Sequence, residues 1–138
     1  MKISPYISFQ GKCEEAVKFY EQAFGTKAEL MRYKDAPPED GYQPPTGTEN
    51  LIMHAQFDIG GETVMLCDVP PEHPVKFGEN IAIMVEFDDK ESAAKAFGVL
   101  KTGGEVGMEL QKTFWSELFG SLTDKFGINW NISIGCPK

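Results

Sequence analysis

An internal repeat constrains this chain most. Ile3, Ile7 and Phe9 alternate with polar residues and recur as Ile81, Val85 and Phe87, 78 positions later. The stripe Ala16, Phe19, Tyr20 and Ala23, spaced for one helical face, recurs as Ala93, Ala96, Phe97 and Leu100, 77 positions later. Each half then continues through further alternating runs. Lys27–Lys34, Leu51–Ile59 and Thr63–Asp68 follow the first helix; Val106–Thr113, Gly120–Thr123 and Asn129–Ile134 follow the second. Both halves therefore read strand, helix, strand, strand, strand. The expectation is an α+β fold of two βαβββ modules, residues 1–68 and 80–138, joined by a loop at 69–79 in a single domain of 1–138. Two such units can pair around a pseudo-twofold axis, with curved mixed sheets forming a cleft and the helices on the outer face.

Local signals place the ends of these elements. Gly25 supplies a left-handed stop after the helix Cys13–Phe24, on whose outer side Glu14 and Lys18 can pair. Gly60-Gly61 turns one strand into the next. Asp88 with Glu91 reads as the start of the second helix, Gly103-Gly104 as its end, and Asp124-Lys125-Phe126-Gly127 as the last turn. Asp35–Asn50, rich in proline, is loop.

Composition narrows the function classes. With 138 residues and 41% hydrophobic content the chain can bury about 68% of its unfolded surface, enough for a core without disulfides. A net charge of −8 repels phosphate backbones and anionic headgroups, so no nucleic acid and no membrane are expected as partners. No run of 18 apolar residues and no secretory leader is seen, and Cys13, Cys67 and Cys136 follow no disulfide spacing; a reduced, cytoplasmic location is expected.

Strand alternation also assigns faces. Each sheet must give its apolar side to its helix, which turns Tyr6, Ser8, Ile52, His54, Gln56, Met84, Glu86 and Asn131 the other way. A face bearing hydroxyls, amides, an imidazole and a carboxylate suits a small molecule. His54, with Gln56, Asp68 and Glu86, is the one grouping of ionisable residues that suggests acid–base work, so His54 and Glu86 are the candidate catalytic residues. His73 sits in a proline-rich loop and is read as surface. Trp115, between Phe114 and Phe119, offers a stacking surface, and Met84 an adaptable apolar contact.

These residues resemble the PhnB-like branch of the glyoxalase, bleomycin-resistance and extradiol-dioxygenase superfamily, the vicinal oxygen chelate fold. The similar pieces are Pro5-Tyr6-Ile7-Ser8-Phe9 with Gly11, Cys13-Glu14-Glu15-Ala16, Phe19-Tyr20 and Phe24-Gly25. They continue through Met53-His54-Ala55, Val64-Met65-Leu66 with Asp68, Thr113-Phe114-Trp115, and Asp124-Lys125-Phe126-Gly127 with Trp130. The resemblance implies two βαβββ modules. In members with glyoxalase chemistry it also implies a divalent metal on four ligands, which carry over to Tyr6 (or Pro5), Leu66, Asn80 and Asn131, with Cys67 or Ile81 one residue away. None of the four is a histidine or carboxylate, so no cofactor and no metal residues are expected; a divalent metal is possible in principle but unsupported by these positions. The expected function is a small-molecule-binding, glyoxalase-like protein, with ligand contacts from Tyr6, Ser8, Gln56, Asp68, Met84, Trp115 and Asn131. The resemblance further implies a homodimer. The alternative is a metal-dependent isomerase, lyase or dioxygenase with a non-standard ligand set that includes His54 and Glu86. With no glycine-rich GxGxxG loop after a strand, a methyltransferase is not expected.

Overall fold

The computed structural model describes residues 1–36 and 46–135. Cys136 and the middle of the expected Asp35–Asn50 loop lie outside the described residues. In order along the chain the elements are β1 (Tyr6–Phe9), α1 (Cys13–Phe24), β2 (Glu29–Arg32), β3 (Ile52–Ile59), β4 (Glu62–Asp68), β5 (Ile83–Phe87), α2 (Lys90–Leu100), β6 (Glu105–Gln111), β7 (Leu118–Thr123) and β8 (Asn129–Ile134). A short 3-10 turn, Tyr33–Asp35, follows β2. Two four-stranded sheets result, ordered β1-β4-β3-β2 and β5-β8-β7-β6. In each, the first strand runs parallel to the last, and the other pairs are antiparallel. The fold is therefore α+β with two βαβββ modules of identical strand order. The chain divides into two compact units, Met1–Glu21 with Gly25–Lys76, and Gln22–Phe24 with Phe77–Lys138.

In the first unit Ile7, Phe9, Ala55, Phe57, Val64 and Leu66 turn to the buried side, where Ala16, Val17 and Tyr20 of α1 are also buried. The Tyr20 ring meets that of Phe57 at 6.1 Å. α1 ends as expected, at Gly25, whose φ of 63° lets its amide reach Glu21 O. The β3–β4 hairpin turns on Gly60-Gly61, both at positive φ. Glu14 pairs with Arg32 of β2 rather than with Lys18, because the guanidinium reaches both carboxylate oxygens at 3.2 and 2.5 Å.

In the second unit α2 packs on β5, β7 and β8 through Ala93, Ala96, Phe97 and Leu100, all buried. Gly120 lies under that contact; a Cβ there would stand 2.7 Å from the Phe97 ring. Trp130, Ile132 and Val85 complete this core, and Phe24 stacks near Phe87 and against Trp130.

Three expectations about boundaries need correction. The first and fifth strands begin later than their alternation suggests, at Tyr6 and Ile83, leaving Ile3 and Ile81 exposed. Pro5 has no N–H to give a ladder, and Ile81 is held instead by the Asn129 side chain, which donates to the carbonyls of Gly78 and Ile81. The N-cap of α2 is Asp89, not Asp88: its Oδ1 accepts from Ser92 N at 2.7 Å and its Oδ2 from Ser92 Oγ at 3.0 Å. Ile52 faces the core rather than the polar side, because β2 pairs Met31 with His54 but Arg32 with Ile52, a bulge that reverses the alternation.

Candidate functional site

Strand register sets the open face of the first sheet. Tyr6 stands opposite Met65 and Ser8 opposite Cys67 across the β1–β4 pair, while Gln56 stands opposite Met65 across β3–β4. Met31 of β2 lies opposite His54. These side chains share the side turned away from the core. Tyr6 and His54 meet edge-on with ring centroids 5.8 Å apart. The Tyr6 hydroxyl lies 3.3 Å from His54 Nδ1, and His54 Nε2 lies 3.2 Å from Gln56 Oε1. An amide oxygen only accepts, so Nε2 carries the proton and donates to Gln56, which leaves the Nδ1 lone pair to accept from the Tyr6 hydroxyl. Partial burial, followed by the neighbouring Cys67 thiol, holds the Tyr6 phenol above its ordinary value. Tyr6 is therefore a neutral donor at pH 7. Next to this row, Ser8 Oγ and Cys67 Sγ are 3.9 Å apart. Gln56 also borders a small polar recess of about 120 Å³ lined by Thr26, Lys27, Glu29, Phe57 and Asp58.

On the second sheet Met84 stands opposite Asn131, and Glu86 opposite Ser133. Phe119 of β7 continues the latter row, also opposite Ser133. Trp115 packs edge-to-face on Phe119 at 5.6 Å, and Phe114 packs on Trp115 at 4.8 Å. Met84 and Trp115 remain substantially open, at 54% and 41% exposure. This face thus presents a carboxylate, an amide, a thioether and a ladder of rings.

Of the residues singled out from sequence, Tyr6, Ser8, His54 and Gln56 gather on the first sheet, and Met84, Glu86, Asn131 and Trp115 belong to the second unit. Asp68 does not join them. It lies on the opposite, core-facing side at 1% exposure. Its two carboxylate oxygens accept from Cys13 N and Ile52 N at 3.0 Å each, and its carbonyl accepts from the Tyr33 hydroxyl at 2.7 Å. The carboxylate anchors the start of α1, a structural use. Its parity with Val64 and Leu66 is the signal that places it there. The same parity points Met65 and Cys67 outward, two residues the sequence reading did not include among the ligand contacts.

Register also tests the metal positions implied by the superfamily. Leu66 is fully buried in the core, and Asn80 lies before β5 begins. The residues that do occupy the outer face of the strand pairs are Tyr6, Met65, Ser8 and Cys67 in one sheet and Met84, Asn131, Glu86 and Ser133 in the other. At the four carried-over positions a phenol, a buried alkyl chain and two amides do not make the imidazole and carboxylate set that a catalytic divalent metal calls for. Among the described residues no three His, Cys, Asp or Glu side chains are grouped as ligands.

A family profile described as 3-demethylubiquinone-9 3-methyltransferase matches residues 1–133. Protein YjdN of Escherichia coli is 31% identical, over 97% of this chain and 95% of that protein. The crystal structure of PA1353 from Pseudomonas aeruginosa superposes with a TM-score of 0.84 at 34% identity, covering 98% of both chains. The PhnB protein of Bacillus cereus superposes with a TM-score of 0.78 at 28% identity, covering 98% of this chain and 100% of that one. With its strand order, helices and these relatives in agreement, the chain belongs to that family, is PhnB-like, and shares its fold with a glyoxalase/bleomycin resistance protein/dioxygenase domain from Frankia, at a TM-score of 0.63 and 12% identity.

Proposed function

We infer that this protein binds a small organic molecule on the open faces of its sheets, as a cytoplasmic homodimer without a catalytic divalent metal. The observation that carries the reading is the Tyr6–His54–Gln56 row. Its hydrogen bonds fix the imidazole tautomer and aim a ring, a hydroxyl and an amide outward before any ligand arrives. A pre-ordered array of this kind limits the entropy lost on binding. The open face of the second sheet carries polar and stacking groups of its own, Met84, Asn131, Glu86 and the Trp115–Phe119 rings. Among the described residues no helix is long and apolar enough to cross a membrane.

A thermal-shift screen of freshly purified protein against metabolites and drug-like compounds, followed by calorimetry on the hits, tests the reading. Hits are expected to lose about tenfold in affinity in Tyr6→Phe and His54→Ala, the loss of roughly one good hydrogen bond. Sedimentation is expected to give a dimer. Stoichiometric Zn, Ni, Mn or Fe together with turnover of a hit would replace binding with the metal-dependent isomerase, lyase or dioxygenase alternative. A monomer with no shift from any compound would remove the binding reading altogether.

A further inference from the structure

Hydrogen bonds in the Tyr6–His54–Gln56 row all run in one direction. The Tyr6 hydroxyl donates to His54 Nδ1 at 3.3 Å, and His54 Nε2–H donates to Gln56 Oε1 at 3.2 Å. Each end therefore keeps the opposite capacity. The Tyr6 oxygen has its one hydrogen engaged and retains lone pairs, on a side chain that is 54% exposed. Gln56 has its oxygen engaged and retains two N–H donors, which give no hydrogen bond among the described residues. The row thus ends in an acceptor at Tyr6 and a donor at Gln56. With the Gln56 amide turned round, the row would need the Nδ1–H tautomer and both ends would change sign, so one tautomer sets the two together.

The surroundings limit what can meet these ends. Tyr6 is on β1 and Gln56 on β3, with β4 between them, so their strands lie two spacings, about 9.6 Å, apart. Met65 of β4 stands opposite both residues and places a half-buried thioether on the strip between them. The Tyr6 and His54 rings, edge-on with centroids 5.8 Å apart, border that strip with aromatic surface. A flat apolar body suits it. At the Gln56 end the recess of about 120 Å³ is lined by one cation, Lys27, and two carboxylates, Glu29 and Asp58. An anionic ligand group would meet more like charge than opposite charge there, whereas a neutral carbonyl can accept from the amide without that repulsion.

Building on the binding role inferred above, we propose that the row selects an extended, flat, uncharged molecule with a hydroxyl or N–H at one end, donated to the Tyr6 oxygen, and a carbonyl at the other, accepting from the Gln56 amide. His54 is a positioning residue: its tautomer fixes the sign of both ends. A diketone of the same shape is disfavoured, because it brings lone pairs against the Tyr6 oxygen.

Nitrogen NMR of isotope-labelled protein, at a pH where the imidazole is neutral, reads the His54 tautomer; His73→Gln assigns the signals, since the chain has two histidines. The Nε2–H form is expected, and the Nδ1–H form would overturn the proposal. NMR titration to millimolar concentration with 6-acetyl-2-naphthol, its methyl ether and 6-ethyl-2-naphthol reads the two ends separately. The hydroxy ketone is expected to bind about tenfold tighter than either analogue, the worth of roughly one hydrogen bond. Tyr6→Phe should abolish its advantage over the methyl ether. Gln56→Glu should abolish its advantage over the ethyl compound while keeping the tautomer, because the carboxylate still accepts from Nε2–H. Equal affinities for the three compounds would refute the polarity and leave small-molecule binding intact. Failure of all three to bind would refute the ligand class, whereas the binding role itself falls only if the broad thermal-shift screen is also empty. If Gln56→Glu does not fold, the wild-type tautomer and the three wild-type affinities decide.

Discussion

Two buried aspartates hold backbone that the sheet ladders leave over. Asp68 accepts from Cys13 N and Ile52 N, so one carboxylate ties the start of α1 to the start of β3. Asp124 accepts from Phe126 N, Ile128 N and Trp130 Nε1, closing the β7–β8 turn on the core indole. Hydrogen bonds to charged groups are each worth about 1.5–3 kcal/mol, and a deserted buried amide adds its own desolvation cost. Asp68→Ala is therefore expected to destabilise the protein by about 3 kcal/mol in urea unfolding, while leaving Tyr6, His54 and Gln56 undisturbed on the other face. A loss below about 1 kcal/mol would show that water replaces the carboxylate. At this scale the sequence was only half legible. An acidic residue near a histidine reads as chemistry, yet strand parity with Leu66 already assigns Asp68 to the core. Parity failed in turn at Ile52, because a bulge leaves no mark in residue type.

Elements were legible where local signals act alone. α1 spans Cys13–Phe24 as its stripe and Gly25 require, and the stripe of α2 is buried residue for residue. Strand starts were not, because alternation in Ile3–Pro5 or Ile81–Ala82 continues past the point where a partner strand exists. Tertiary pairing also redirected Glu14 from Lys18, one helical turn away, to Arg32 on β2. That pair links helix and edge strand, and it sets a pH signature. The hydrogen bond from Arg32 holds the Glu14 carboxyl below its usual range. A depressed carboxyl contributes stability above its unfolded value, near 4.3, and the contribution fades as pH falls through the folded value. The carboxylate is 39% exposed, so solvent screening keeps the pair to about 0.5 kcal/mol. Urea unfolding at pH 7 should show Glu14→Gln less stable than wild type by about that amount, with the gap closing towards pH 3. A gap that persists at pH 3 would mean the substitution acts through packing and not charge.

At the scale of the whole molecule, the description carried by the family and the architecture point to different chemistry. Adenosine cofactors are commonly held by a doubly wound parallel sheet, with a glycine-rich loop leading from a strand into a helix whose free amide end faces the ligand. Here each sheet has one parallel pair among antiparallel neighbours, β1 with β4 and β5 with β8. The β1–α1 connection contains a single glycine, Gly11, and the first amide of α1 is already engaged by Asp68. The start of α2 is likewise occupied, by the Asp89 carboxylate. The free amides at both helix starts, which could have received a cofactor's carboxylate or hydroxyl groups, are thus already taken up by built-in carboxylates. S-adenosylmethionine is therefore expected to give no heat in calorimetry and no thermal shift at millimolar concentration, in wild type and in His54→Ala alike. A micromolar dissociation constant, or methyl transfer to a ubiquinone precursor, would show that this fold holds the cofactor in a way unrelated to helix ends, and would move the search for its site to the open sheet faces.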